Sequence, residues 1–330
     1  MKKLIEIKNL RTYFYTANGV VPAVDDVTFD IYDGETICVV GESGCGKSVT
    51  SQSIMRIVPQ PPGKYVSGEI LYEGKDLLKI SPKEMQALRG KRLAMIFQEP
   101  MTSLNPVQII GKQIGEVLLL HNKELSKVQR KAAVIKVLEA VGFPDPERCY
   151  RSYPHQLSGG MRQRAMIAMA LICKPQLLIA DEPTTALDVT IQAQILNLLE
   201  KLKDQFHMTI LMITHDLGIV SSMADRVIVM YSGKIVETGT AQQIFSHPLH
   251  PYTRGLMECI PQIDEDKEEL TVIRGNVPNP LHFPSGCRFH PRCPYAQEIC
   301  KTTMPELLEF GGQQVRCHFT PEEQVSSEGV

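Results

Sequence analysis

The chain has 330 residues, 43% of them hydrophobic and 22% charged, which suits about two globular domains and excludes a disordered or fibrous composition. Lys and Arg total 35 against 37 for Asp and Glu, so a net charge of −2 provides no global basic field for nucleic acid or anionic lipid. The N-terminus alternates apolar and polar residues with no cleavage site, so no signal peptide is expected. No apolar run approaches the ~18 to 20 residues that span a bilayer; the densest is the short stretch from Ala165 to Cys173. Membrane association is therefore expected through a partner. Nine cysteines without a secretory signal imply a reducing cytosol, where clustered thiols bind metal or act catalytically.

In chain order, residues 4–8 and 24–39 alternate as strands do, and Thr36-Ile37-Cys38-Val39-Val40 runs into a glycine-rich turn. Ser48 to Ile57 reads as a helix stopped by Pro59, Pro61 and Pro62. Apolar residues at helical spacing over 111–141 predict amphipathic helices, an inserted helical region. Two short apolar runs end in polar residues, Gln176 to Ala180 at Asp181 and Met208 to Ile213 at Thr214-His215-Asp216. Both read as buried parallel strands that deliver polar residues to a ligand-binding edge. Past about Ser246, proline, histidine and cysteine become dense, and the tail from Thr320 is polar and expected to fray. No internal repeat is present. The expected class is α/β, with an inserted helical subdomain at about 99–160 and a small Cys-rich C-terminal domain, divided as 1–245 and 246–330.

Gly41-Glu42-Ser43-Gly44-Cys45-Gly46-Lys47-Ser48 fits G-x-x-x-x-G-K-[ST] between a predicted strand and a predicted helix. Glycines let consecutive N–H groups curl around anionic oxygens, Lys47 reaches the β- and γ-phosphates, and Ser48 can hold Mg²⁺. A chance glycine-rich turn is the bland alternative. Asp181, at a strand end, supplies a complementary Mg²⁺ carboxylate. The next residue, Glu182, is then free to orient or deprotonate water. Ser158-Gly159-Gly160 opens a helix and reads either as a second anion-binding N-terminus or as a capping Ser with flexible glycines.

Taken together, Gly41 to Ser48, Gln98, Leu157 to Met161, Leu177 to Glu182, Ala186-Leu187-Asp188 and His215 resemble, in order and spacing, the ATP-binding cassette of ABC transporters, over about residues 4–245. The resemblance implies an α/β P-loop ATPase core with an antiparallel β subdomain, and nucleotide binding by Gly41, Ser43, Gly44, Cys45, Gly46, Lys47, Ser48 and Val49. It implies that Phe14 stacks on adenine, a core aromatic being the equal alternative beside Tyr13 and Tyr15. Gln98 would touch Mg²⁺ and report to the membrane subunit, and His215 would contact the γ-phosphate. Asp188 would cross a dimer interface at which Ser158, Gly159 and Gly160 of one cassette cap the ATP of the other. Gln98 to Pro106, His250-Pro251-Tyr252-Thr253, Val277 to Pro280 and Cys287 to Pro294 resemble the oligopeptide/dipeptide and nickel importer branch, nearest its D-type cassette. That implies a peripheral subunit on the cytoplasmic face, a second ATPase subunit as heterodimer partner, two transmembrane permease subunits and, indirectly, a peptide-binding protein.

Cys287, Cys293, Cys300 and Cys317 follow C-x5-C-x6-C-x16-C. Four ligands suit a metal site, and the spacing is wider than ordinary zinc knuckles. Arg288, Arg292, Lys301 and Arg316 flank the four, which predicts cations that favour thiolates. The importer resemblance points to a 4Fe-4S cluster. Zn²⁺ and unliganded buried cysteines are the alternatives, with His282, His290 and His318 as substitute ligands. Competing functions are import of nickel or another small solute, a soluble cassette ATPase on nucleic acid, and a nucleotide-gated redox sensor.

Overall fold

A computed structural model describes residues 2–98, 103–185, 187–259 and 273–319. Glu99 to Thr102 of the importer-like motif, Ala186 and the tail from Thr320 lie outside these residues. The chain forms two compact units.

One unit comprises Tyr32–Glu35 and Lys79–Ile213, with the start of the chain. The other comprises Leu4–Ile31, Thr36–Leu78 and the described residues from Thr214 onward. The second unit carries β1 (Lys3–Thr16), β2 (Gly19–Tyr32), β3 (Thr36–Val40), α1 (Lys47–Ile54), β4 (Gly63–Tyr72) and β5 (Lys75–Asp76). Four of these strands form a sheet in the order β2-β1-β4-β5, with β1–β4 and β4–β5 antiparallel. The helix after the glycine-rich turn stops at Ile54, before the prolines, because Arg56 takes φ +53, a conformation that a right-handed helix cannot continue.

The first unit is a parallel sheet dressed by helices. Its strands are β6 (Leu93–Ile96), β7 (Leu177–Asp181) and β8 (Thr209–Ile213), paired in that order. β7 and β8 are buried along their whole length, as expected of strands with two covered faces. Its helices are α2 (Pro82–Leu88), α3 (Ile110–His121), α4 (Lys127–Ala140), α5 (Pro146–Arg151), α6 (Gly159–Leu171) and α7 (Val189–Phe206). The helices read from the 111–141 periodicity are thus α3 and α4. They are separate because the Ser126–Gln129 capping box starts a new helix.

The second unit continues with α8 (Leu217–Met223), β9 (Arg226–Tyr231), β10 (Lys234–Thr240), α9 (Ala241–Ser246) and α10 (Pro251–Glu258). It ends with α11 (Glu298–Thr302), β11 (Leu308–Phe310) and β12 (Gln313–Val315). β9 lies parallel to β3, β10 antiparallel to β9, and β12 antiparallel to β10 through Glu237↔Val315 and Thr238↔Gln314. The segment past Ser246 therefore extends the sheet that begins at β3. Its strands escaped the sequence reading because three residues are too short a run to show alternation. Among the described residues no helix is long and apolar enough to cross a membrane.

Candidate functional site

Buried β3 ends at Val40, and the next six residues, Gly41 to Gly46, turn the chain into α1. Gly41 (φ +146) and Gly46 (φ +103) admit no side chain, since a Cβ would lie 2.2 Å from the Met230 carbonyl oxygen and the Ala23 carbonyl oxygen respectively. The turn is thus pressed against backbone on two sides, while Ser43 and Gly44 at its tip are exposed. Buried Lys47 donates from Nζ to the carbonyls of Gly41 (2.7 Å) and Glu42 (3.0 Å), which holds the ammonium over the loop. Ser48 and Val49 follow in the first turn of α1, half-buried. Cys45 is buried, and that burial pushes its thiol pKa up, so it is a packing thiol. A glycine-lined turn at a helix N-terminus with a buried lysine ammonium is a phosphate-binding loop.

On β1, Tyr13 donates its hydroxyl to Asp25 Oδ1 (2.9 Å), and Phe14 is half-buried, its ring edge beside Gly63. Burial, then the bond to Asp25, raises the Tyr13 pKa to about 12. Tyr13 is thereby committed to a structural bond and Phe14 is not. His215 follows β8 and is exposed, next to Asp216, which caps α8.

In the first unit, Asp181 is the last residue of β7 and 4% exposed. Glu182 leaves the strand with φ +47, a conformation rare outside glycine and concentrated at functional sites. Gln98 Nε2 (2.8 Å) and Thr185 Oγ1 (3.0 Å) both donate to Glu182 Oε2, so the carboxylate is aimed from two sides. Sequence reasoning found Gln98 and Glu182 separately; their bond and Thr185 required the structure. Ser158 caps α6 by accepting from the Met161 N–H (3.4 Å), and Asp188 caps α7 by accepting from the Ile191 N–H (2.9 Å). Both stand exposed at helix starts. Gly160 faces Ile191 so closely that a Cβ would lie 2.8 Å from it.

Cys287, Cys293, Cys300 and Cys317 line one small cavity, with Phe289 in its wall. The Cys287 N–H donates to the Cys300 carbonyl (2.8 Å). His290 bonds the Cys287 carbonyl and His318 the Thr303 carbonyl. Burial raises the Cys287 pKa to about 11 and the Cys293 pKa to about 12. The expectation that flanking cations favour these thiolates is corrected here for three of the four. Arg288 pairs with Asp25, Arg292 with Glu42 and Lys301 with Glu298, while Arg316 donates to the Ile235 and Pro305 carbonyls. Three of the four are thus committed to carboxylates, while the charge of Arg316 still acts on the Cys287 sulfur. Among the described residues no three His, Cys, Asp or Glu side chains are disposed to hold a metal ion.

Two contacts of this loop left no signal in the sequence. Tyr252 and Arg292 both reach Glu42 of the phosphate-binding loop. Tyr252 belongs to a motif with no assigned chemistry, and Arg292 reads only as a cation beside Cys293.

Parallel strands that deliver a phosphate-binding loop and a strand-end carboxylate pair define a P-loop nucleotidase class. Residues 24–185 match the ABC transporter family and residues 236–300 the oligopeptide/dipeptide transporter C-terminal region. The chain is 53% identical over 324 residues to the oligopeptide transport ATP-binding protein AppD of Bacillus subtilis, covering 98% of each. It is 50% identical to the oligopeptide transport ATP-binding protein OppD of Haemophilus influenzae, covering 96% of this chain and 97% of that one. Among solved structures, a dimeric post-hydrolysis state of the ATP-binding cassette MJ0796 bound to ADP and Pi matches with TM-score 0.64 and 26% identity, covering 72% of this chain and 98% of that one. The chain belongs to the ABC transporter ATP-binding proteins, in the oligopeptide/dipeptide branch, and is an ABC-type ATPase.

Proposed function

We propose that this chain is an ATP-hydrolysing subunit that energises import of di- and oligopeptides from the cytoplasmic face of the membrane. The observation that carries the reading is the union, in one chain, of an ABC transporter segment with the C-terminal region of oligopeptide/dipeptide transporters. In this reading residues 1–245 act as the ATPase and 246–330 as its Cys-rich extension. Lys47 and the backbone from Gly41 to Val49 bind the phosphates, Phe14 stacks on adenine, and Ser48, Gln98 and Asp181 are the Mg²⁺ residues. Glu182, aimed by Gln98 and Thr185, orients and deprotonates the attacking water. His215 contacts the γ-phosphate. A second ATPase subunit supplies a counterpart of Ser158, Gly159 and Gly160 across an interface that Asp188 borders. Two permease subunits receive the closing motion, and a peptide-binding protein delivers substrate. The dimeric MJ0796 cassette supports the paired arrangement.

The four clustered cysteines are proposed to hold a 4Fe-4S cluster. Their lining of one cavity and an all-sulfur donor set support it, with the thiols having to draw together from the positions they hold here to ligate. When bound, the cluster supplies a covalent staple for a segment with little regular structure. Purification from native membrane with identification of bound subunits tests the reading. Permease and peptide-binding proteins are expected, whereas a nickel-binding protein or salt-sensitive RNA would replace it. In anaerobic protein, iron and acid-labile sulfide near four each per chain are expected. Cys293→Ser should bleach it, and stoichiometric zinc without sulfide would overturn the cluster.

A further inference from the structure

The phosphate-binding loop is gripped from outside at its second residue. The Glu42 N–H donates to the Tyr252 hydroxyl at 2.9 Å. The Glu42 carboxylate accepts a forked pair from Arg292, NH1 to Oε2 at 2.7 Å and NH2 to Oε1 at 3.0 Å. Arg292 has no slack. Its remaining N–H groups go to the Tyr231 hydroxyl (3.3 Å) and to the carbonyls of Ile273 (3.3 Å) and Arg274 (3.1 Å), so all five donors are engaged. Its side chain is 4% exposed. Tyr252 is equally fixed, fully buried, with its own N–H donated to His250 Nδ1 at 3.0 Å.

These two residues lie beside the cysteine cavity. Arg292 precedes Cys293, and Phe289 in the cavity wall packs against Tyr252 (centroids 5.4 Å) and edge-on against Tyr231 (5.2 Å). The segment is already tied to its unit by β12 on β10, by Arg288 on Asp25 and by Arg316 on the Ile235 carbonyl. Arg292 is thus redundant as a tether, and its placement on the phosphate-binding loop needs another reason. Interiors are close-packed, so a fixed wall passes displacement on instead of absorbing it.

We propose that Arg292 and Tyr252 are positioning residues for nucleotide binding, through which the cysteine-bearing segment sets the conformation of the phosphate-binding loop at Glu42. The inference rests on the proposed ATP-binding role of that loop.

The test is equilibrium binding of a fluorescent ATP analogue to the full chain, with ATP KM and kcat measured in the assembled transporter. Arg292→Gln and Glu42→Gln should each weaken binding by about two- to thirty-fold. The double variant should be no weaker than the worse single one, since both break the same pair. Arg292→Lys should recover part of the loss, a single charge replacing the fork. Tyr252→Phe keeps the ring and should weaken binding by about two- to five-fold, which serves if Arg292→Gln fails to fold. KM should rise with kcat little changed. Unchanged affinity in Arg292→Gln and Tyr252→Phe, or additive losses in the double variant, would overturn the proposal. Lys47→Ala separates the two levels: if it too leaves affinity unchanged, the ATP-binding reading of the loop fails instead.

Discussion

The phosphate-binding loop and the cysteine-bearing segment lie in the same unit and are ordered by opposite means. The loop owes its shape to backbone, with Gly41 and Gly46 seated against carbonyl oxygens and a helix beginning at Lys47. The segment has little regular structure: among its described residues from 273 onward it has a three-residue 3₁₀ turn at His290–Arg292, a five-residue helix and two three-residue strands. It is ordered by arginines that reach far along the chain, Arg288 to Asp25 across 263 positions and Arg292 to Glu42 across 250. The difference teaches where each is sensitive: the loop to added side-chain bulk, the segment to loss of its long-range ion pairs.

If that contrast holds, chemistry and scaffold should separate on substitution. The largest effect belongs to chemistry. Glu182→Gln should slow ATP turnover by about 10²- to 10⁴-fold in the assembled transporter while leaving nucleotide affinity and melting temperature near wild type. Steady-state ATPase assays and thermal melts check this, and comparable turnover would end the assignment of Glu182.

Asp25 offers the scaffold counterpart. Its side chain lies within 3.2 Å of Lys234 Nζ, also contacts Arg288, and all three side chains are nearly buried. Asp25→Asn leaves two buried cations short of a partner and should cost about 3 to 5 kcal/mol. Burial alone would raise the Asp25 pKa, but Lys234, Tyr13 and Arg288 together hold it below its ordinary 3.8. A depressed folded-state pKa means stabilisation that is complete above 3.8 and lost as pH falls further through the folded value. The penalty of Asp25→Asn should therefore be full at pH 7 and shrink below pH 3.8, which denaturant titrations across that range would show. A pH-independent penalty would remove the charge from the explanation.

The smallest effect is at Ser158, where the structure shows a helix cap. Ser158→Ala should cost about 1 kcal/mol in stability. If the residue also reaches nucleotide in a neighbouring cassette, turnover of the assembled transporter should drop far more than that loss explains. Turnover that merely follows stability would reduce Ser158 to its cap.

The loop, the strand-end acids and the capped helices were legible because each depends on residues a few positions apart. Gly41 to Ser48 carries its own geometry, and Asp181 needs only the apolar run before it. The Gln98–Glu182 bond, spanning 84 positions, left no local signature. The flanking cations misled for a related reason: Arg288 and Arg292 satisfy carboxylates elsewhere instead of neighbouring thiols, since burial forces a guanidinium to find the best acceptor in space. His250-Pro251-Tyr252-Thr253 was visible as a motif, yet the bond from the Glu42 N–H to Tyr252 gives it a reason.

The most direct test of the central claim is ATP-dependent uptake of a labelled dipeptide into proteoliposomes holding the complete transporter, with wild type compared with Lys47→Ala. The account predicts uptake that requires ATP and falls to the ATP-free baseline in Lys47→Ala. Dipeptide uptake that proceeds equally without ATP, or equally in Lys47→Ala, would contradict it.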